Sequence, residues 1–183
     1  GQTSATATGL GVGTVCVTVT DANGCTDASC VSLTAPSQVT AVVTNNTSVD
    51  CRGNATGSLT VAGQGGVGAY TYLWDANALG QTTATASNLA AGFYCATVTD
   101  LNGCSNVICA TVAEPLVALS ANASVTSNYN GRQVSCAGST DGSLSAAGNG
   151  GTGSYSYLWS AGNQTTAAIA GVGAGSYQVT VTD

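Results

Sequence analysis

Residues 91–104 read AGFYCATVTDLNGC, and residues 12–25 read VGTVCVTVTDANGC. In each, apolar and polar residues alternate up to an Asn-Gly pair, and a second alternating run follows. Asn-Gly between alternating runs is a strong β-hairpin signal, because glycine accepts the positive φ that a tight turn requires. If Asp100 stands opposite Cys104 across the loop Leu101-Asn102-Gly103, the same register sets Cys95 opposite Cys109. Alternation then places Tyr94, Ala96 and Val98 on one face with Ile108 and Ala110, and both cysteines on the other. In the earlier copy, Asp21 opposite Cys25 sets Cys16 opposite Cys30. Two cross-strand disulfides are therefore expected, Cys16–Cys30 and Cys95–Cys109. Each closes a loop of about 15 residues, worth about 3 kcal/mol on chain-entropy grounds.

The hairpin belongs to a longer repeat. Residues 1–36 overlay residues 80–115 without a gap, with Gly1 on Gly80, Cys25 on Cys104 and Pro36 on Pro115, an offset of 79. Residues 49–74, VDCRGNATGSLTVAGQGGVGAYTYLW, overlay residues 134–159, VSCAGSTDGSLSAAGNGGTGSYSYLW, at an offset of 85. The unit is about 80 residues long. The expected organisation is the C-terminal part of one β-sandwich repeat over 1–36, a complete repeat over 37–115, and a repeat lacking its last strand over 116–183. The pattern predicts strands near Val39–Thr44, Ser58–Ala62, Tyr70–Trp74, Thr83–Ser87, Tyr94–Thr99 and Ser105–Val112. Turn signals separate them every 8–12 residues, the spacing of all-β sandwiches. The expected fold class is all-β: tandem sandwich repeats placed end to end, with short joins at Pro36 and Pro115 that favour a stiff string. The chain opens and closes in mid-unit, so the missing strand is expected from further chain of the same kind.

Composition narrows the function classes. Of 183 residues only 5% are charged, against about 25% in ordinary globular chains. There is no lysine or histidine, Arg52 and Arg132 are the only cationic side chains, and the net charge is −6. Nucleic acid binding rests on lysine and arginine neutralising phosphates, so no nucleic acid partner is expected. An anionic membrane surface is disfavoured for the same reason, and no apolar run approaches the roughly 20 residues of a membrane span. Without histidine, Ser/His and Cys/His catalytic pairs are excluded. The eight acids are scattered, mostly in turns, and offer no paired carboxylates. GQGGVG (63–68) and GNGGTG (148–153) lack the lysine of a phosphate-binding loop. No enzyme activity and no cofactor are expected.

Eight cysteines without histidine, in spacings that fit no common zinc site, point to disulfides and an oxidising compartment. Besides the two hairpin pairs, Cys51 is expected to bond Cys104, pinning the final hairpin to the start of the unit. Cys25 and Cys136 then have no partner within the chain. DANG and DLNG begin like a calcium loop, but cysteine follows directly and no late Glu is present, so the turn reading is favoured. Tyr70, Tyr72 and Trp74, with Tyr155, Tyr157 and Trp159, alternate onto one face of a strand. They suit the core of a small sandwich better than a sugar-stacking platform. Arg52 is read as a surface partner of Asp50. Asn45, Asn46, Asn54, Asn122 and Asn163 begin N-x-S/T triplets, read as chance matches in a chain rich in Asn and Thr.

The run C-x-G-x-x-x-G-S-L … GG-x-G-x-Y-x-Y-L-W … G-x-Y-x-x-T-V-T-D-x-N-G-C resembles the SprB-type repeat, which occurs in tandem in very large surface proteins of Bacteroidota, including adhesins linked to gliding. The resemblance spans nearly the whole chain. It implies an immunoglobulin-like or PKD-like sandwich, export to the cell surface, and a structural or adhesive role in a long extracellular protein or filament. The partners it implies are further copies of the repeat, in the same or a neighbouring chain, and a surface glycan or protein target. The rival reading is a spacer or binding module appended to a secreted hydrolase. Cys95–Cys109 and Cys16–Cys30 depart from the pattern, and Gln178 stands where the third unit would carry its equivalent of Cys95.

Overall fold

The computed structural model describes all residues, Gly1–Asp183. It is all-β: antiparallel strands grouped in five small sheets, with one 3-10 turn at Ala76–Ala78. The first two strands, β1 (Gly13–Thr20) and β2 (Thr26–Leu33), form a free-standing hairpin. The six strands expected in the middle of the chain are present. They are β3 (Thr40–Thr47), β4 (Gly57–Gln64), β5 (Thr71–Trp74), β6 (Thr85–Leu89), β7 (Gly92–Thr99) and β8 (Ser105–Val112). They build two facing three-stranded sheets, ordered β3-β4-β6 and β5-β7-β8. The remaining five are β9 (Ser120–Val125), β10 (Gly142–Asn149), β11 (Ser156–Trp159), β12 (Ala168–Val172) and β13 (Val179–Thr182). Sheets β12-β10-β9 and β11-β13 repeat the same order without a counterpart of β8.

The core of the middle sandwich follows from alternation. Leu59 and Val61 of β4 face Tyr94, Ala96 and Val98 of β7 across the interior, with Trp74, Ala86, Leu89 and Val112 closing it. Ile108 and Ala110 pack half-buried against this cluster. Trp74 and Trp159 are each 2% exposed. Their indole N–H groups donate to the carbonyls of Thr83 and Thr166, at 2.9 and 3.0 Å. A buried indole needs such a partner, and here the loop after the Trp strand supplies it in both sandwiches. These rings are core, not a stacking platform.

Two further tyrosine pairs recur. Tyr94 donates from its hydroxyl to Ala90 O at 2.9 Å, and Tyr177 to Gly173 O at 3.0 Å. Each fastens the turn before its own strand, as a tyrosine corner does in sandwich folds. Tyr70 and Tyr155 lie over Gly63 and Gly148, where a side chain would collide with the ring. In the second sandwich the inner face of β13 is only half covered: Tyr177 and Val179 are half-buried where Tyr94 and Ala96 are buried.

Candidate functional site: the two ends of the repeat unit

Cys16 is bonded to Cys30 and Cys95 to Cys109. Each pair is directly opposed in its hairpin register. Cys95 and Cys109 lie on the outer face of their sheet, behind Tyr94, Ala96 and Val98, so that bond staples the hairpin without entering the core, whereas the Cys16–Cys30 bond staples a hairpin exposed on both faces.

Cys51 and Cys104 are not bonded to each other; both are exposed free thiols, as are Cys25 and Cys136. The expected Cys51–Cys104 bridge fails because the two residues sit at opposite ends of the sandwich. Cys104 immediately precedes β8. Cys51 lies past the far end of the same strand: Val49 N donates to Ala113 O at 2.8 Å, and Gly53 N to Glu114 Oε2 at 2.8 Å. The eight residues of β8 separate the two thiols by about 26 Å. Proximity to the start or end of a unit in sequence does not reveal which pole of the sandwich a loop occupies.

The leading pole, where the chain enters, is organised by Asp100. Its Oδ1 accepts from the backbone N–H groups of Asn102 and Cys104, at 3.0 and 2.8 Å, and its Oδ2 accepts from Val67 N at 2.9 Å. Leu101 N donates to Val67 O and Gly66 N to Ser37 O, tying hairpin tip, glycine loop and incoming chain together. Gly66 has φ +63°, and a Cβ there would lie 2.5 Å from Asp100 Oδ2. Glycine is therefore required both for the backbone angle and for the carboxylate's approach. The N–H donors, that of Val67 first, hold the Asp100 carboxyl below the usual carboxylate range. Asp21 makes the equivalent contacts to Asn23 N and Cys25 N. The carboxylates of both Asp-x-Asn-Gly turns are thus engaged by their own backbone.

The trailing pole is organised by Asp50, Arg52 and Glu114. Asp50 Oδ1 accepts from Thr56 Oγ1 at 2.6 Å and from Cys51 N at 2.7 Å, which lowers its pKa. Arg52 does not pair with Asp50. Its Nε lies 3.8 Å from Glu114 Oε1, and its Nη1 donates to Pro115 O and Leu116 O. On the far side of that join, Gly151 N donates to Val117 O at 2.9 Å, and Thr152 N to Asp183 Oδ2. The trailing pole of one sandwich and the leading pole of the next thus grip three consecutive carbonyls, Pro115, Leu116 and Val117. Sequence reasoning missed this junction, although Arg52, one of only two cations, lies beside Cys51 and was the available signal.

The same elements recur in the comparison with known families. Residues 40–79 and 128–164 match the SprB repeat. Two segments of the chain, one in each sandwich, are thus similar to the SprB repeat. The first match runs from β3 through the 3-10 turn, and the second covers β10 and β11. The SprB repeat is a structural repeat, and the proteins built from it are cell-surface proteins. Neither matched SprB segment includes the stapled hairpins. No curated protein matches the chain, and no helix in it is long and apolar enough to cross a membrane.

Proposed function

We propose that the chain is a non-catalytic structural and adhesive segment of a long, repetitive extracellular surface protein, made of units 1–36, 37–115 and 116–183 placed end to end. The observation that carries this reading is the tandem recurrence of the SprB repeat across a short, hydrogen-bonded join at Pro115–Val117. The near-absence of charge supports it, since contacts made by a Thr-, Ser- and Asn-rich surface depend little on salt. The outer disulfides support an oxidising location. In this reading the segment spaces and stiffens the protein, and its partners are further repeat copies and a surface glycan or protein.

The test is protease shaving and antibody labelling of intact producing cells, followed by attachment assays with the segment deleted in frame. Labelled, shaveable segments and a loss of attachment are expected. A secreted, unattached product that keeps a hydrolytic activity fused to the segment would overturn the reading in favour of an enzyme appendage.

A further inference from the structure

The complete unit carries one exposed thiol at each pole, Cys104 at the leading end and Cys51 at the trailing end. Neither is in reach of the other, and the chain has no histidine to pair with either. The repeat writes both again: Cys25 holds the position of Cys104, and Cys136 that of Cys51. The junction shows what these thiols face. Arg52, next to Cys51, donates to Pro115 O and Leu116 O, while Gly151 donates to Val117 O beside the Thr152–Asp183 contact. Asp183 occupies in the following unit the place of Asp100, whose Oδ1 holds the N–H of the tip cysteine Cys104 at 2.8 Å. A hairpin tip following Asp183 therefore delivers its cysteine to the junction that already contains Cys51.

We propose that consecutive units are riveted covalently, the trailing-pole thiol of one unit (Cys51, Cys136) forming a disulfide with the hairpin-tip thiol of the next (the type of Cys25 and Cys104). The bond forms by exchange with a disulfide oxidant. Two thiols lose two protons and two electrons to make one S–S bond, and the oxidant's S–S bond is reduced to two thiols. The hairpin disulfides require the same class of oxidant. The rivet makes a string of separately folded sandwiches into one chain of covalent links, closed at every join.

The experiment extends the full chain after Asp183 with a second copy of residues 101–115, its second cysteine replaced by serine because Gln178 offers that cysteine no partner. The product is oxidised with glutathione disulfide and mapped without reductant. The proposal expects the five thiols, the four exposed ones and the added tip, to fall to three. The peptide containing Cys51 is recovered joined to the added tip. Cys51→Ser should restore an alkylatable tip. Cys51 remaining alkylatable beside a protease-resistant added hairpin, or joined to Cys104, overturns the proposal. If the added hairpin is cleaved, Thr152→Cys in the unextended chain decides, since the Gly151–Val117 contact fixes that loop. Absence of a bond from Cys51 to this thiol overturns it as well.

Discussion

The ring of Tyr70 rests on the bare backbone of Gly63, so closely that a Cβ added there would lie 2.6 Å from the ring's Cγ. Tyr155 rests on Gly148 in the same way, at 2.7 Å. Glycine inside a strand is unfavourable by itself, and here it makes room for an aromatic ring that the core needs. Gly63→Ala should therefore destabilise the middle sandwich by about 1–3 kcal/mol through overpacking. Gly11→Ala, where nothing lies within 4 Å, should leave it unchanged. Thermal denaturation followed by Trp74 fluorescence checks both, and equal midpoints for the two variants would refute the account.

Asp100 sets the acid response. Its carboxylate is favoured in the folded state by three backbone N–H donors, so its pKa is lower folded than unfolded. The stabilisation it gives is fully present above the ordinary aspartate value of about 3.9 and is lost as pH falls through the depressed folded value. Asp50 and Asp141 are lowered as well, chiefly by Thr56 and Ser135, and act in the same direction. Urea midpoints should be flat from pH 7 to pH 5 and fall below pH 4. Asp100→Asn should lower the midpoint at pH 7 and shrink the drop in acid; an unchanged acid slope would show that another group carries it.

The outer staple can be removed without touching the core. Replacing Cys95 and Cys109 together by serine should cost about 3 kcal/mol, the loop-closure value for their separation of 14 residues. The buried face of β7 should stay intact, with Tyr94, Ala96 and Val98 unmoved. Guanidinium unfolding of the reduced and oxidised protein gives the difference directly. A loss of native Trp74 fluorescence in the double variant at zero denaturant would contradict a purely outer role.

How much of this was legible depends on the range over which each residue acts. The Asn-Gly turn fixes its hairpin locally, so strand register, the outward cysteines and the inward Tyr94, Ala96 and Val98 followed from the sequence alone. Trp74 was readable as core because a small sandwich needs one large apolar residue. Cys51 was misread because its position depends on which end of the sandwich the β3–β4 loop reaches, and alternation along a strand carries no such information. Arg52 was misread for a related reason: Asp50 is near in sequence, but Thr56 and Cys51 N already occupy its Oδ1, while Glu114 arrives from the end of β8.

Arg52 ties two sandwiches together while adding little to either. Its side chain is 47% exposed, and exposed ion pairs typically contribute 0 to about 1 kcal/mol. Its bonds to Pro115 O and Leu116 O, however, hold the only stretch of chain between the two cores. Arg52→Ala should leave the melting temperature of the middle sandwich within about 2 °C while freeing the join. Limited proteolysis should then cut between Pro115 and Ala118 several-fold faster, and the chain should become less extended in small-angle scattering. Arg52→Lys should rescue only part of the effect, because one ammonium cannot hold Glu114 and two successive carbonyls as a planar guanidinium does. Should cleavage be unchanged in Arg52→Ala, the Gly151–Val117 bond alone holds the junction, and the arginine is an ordinary surface side chain.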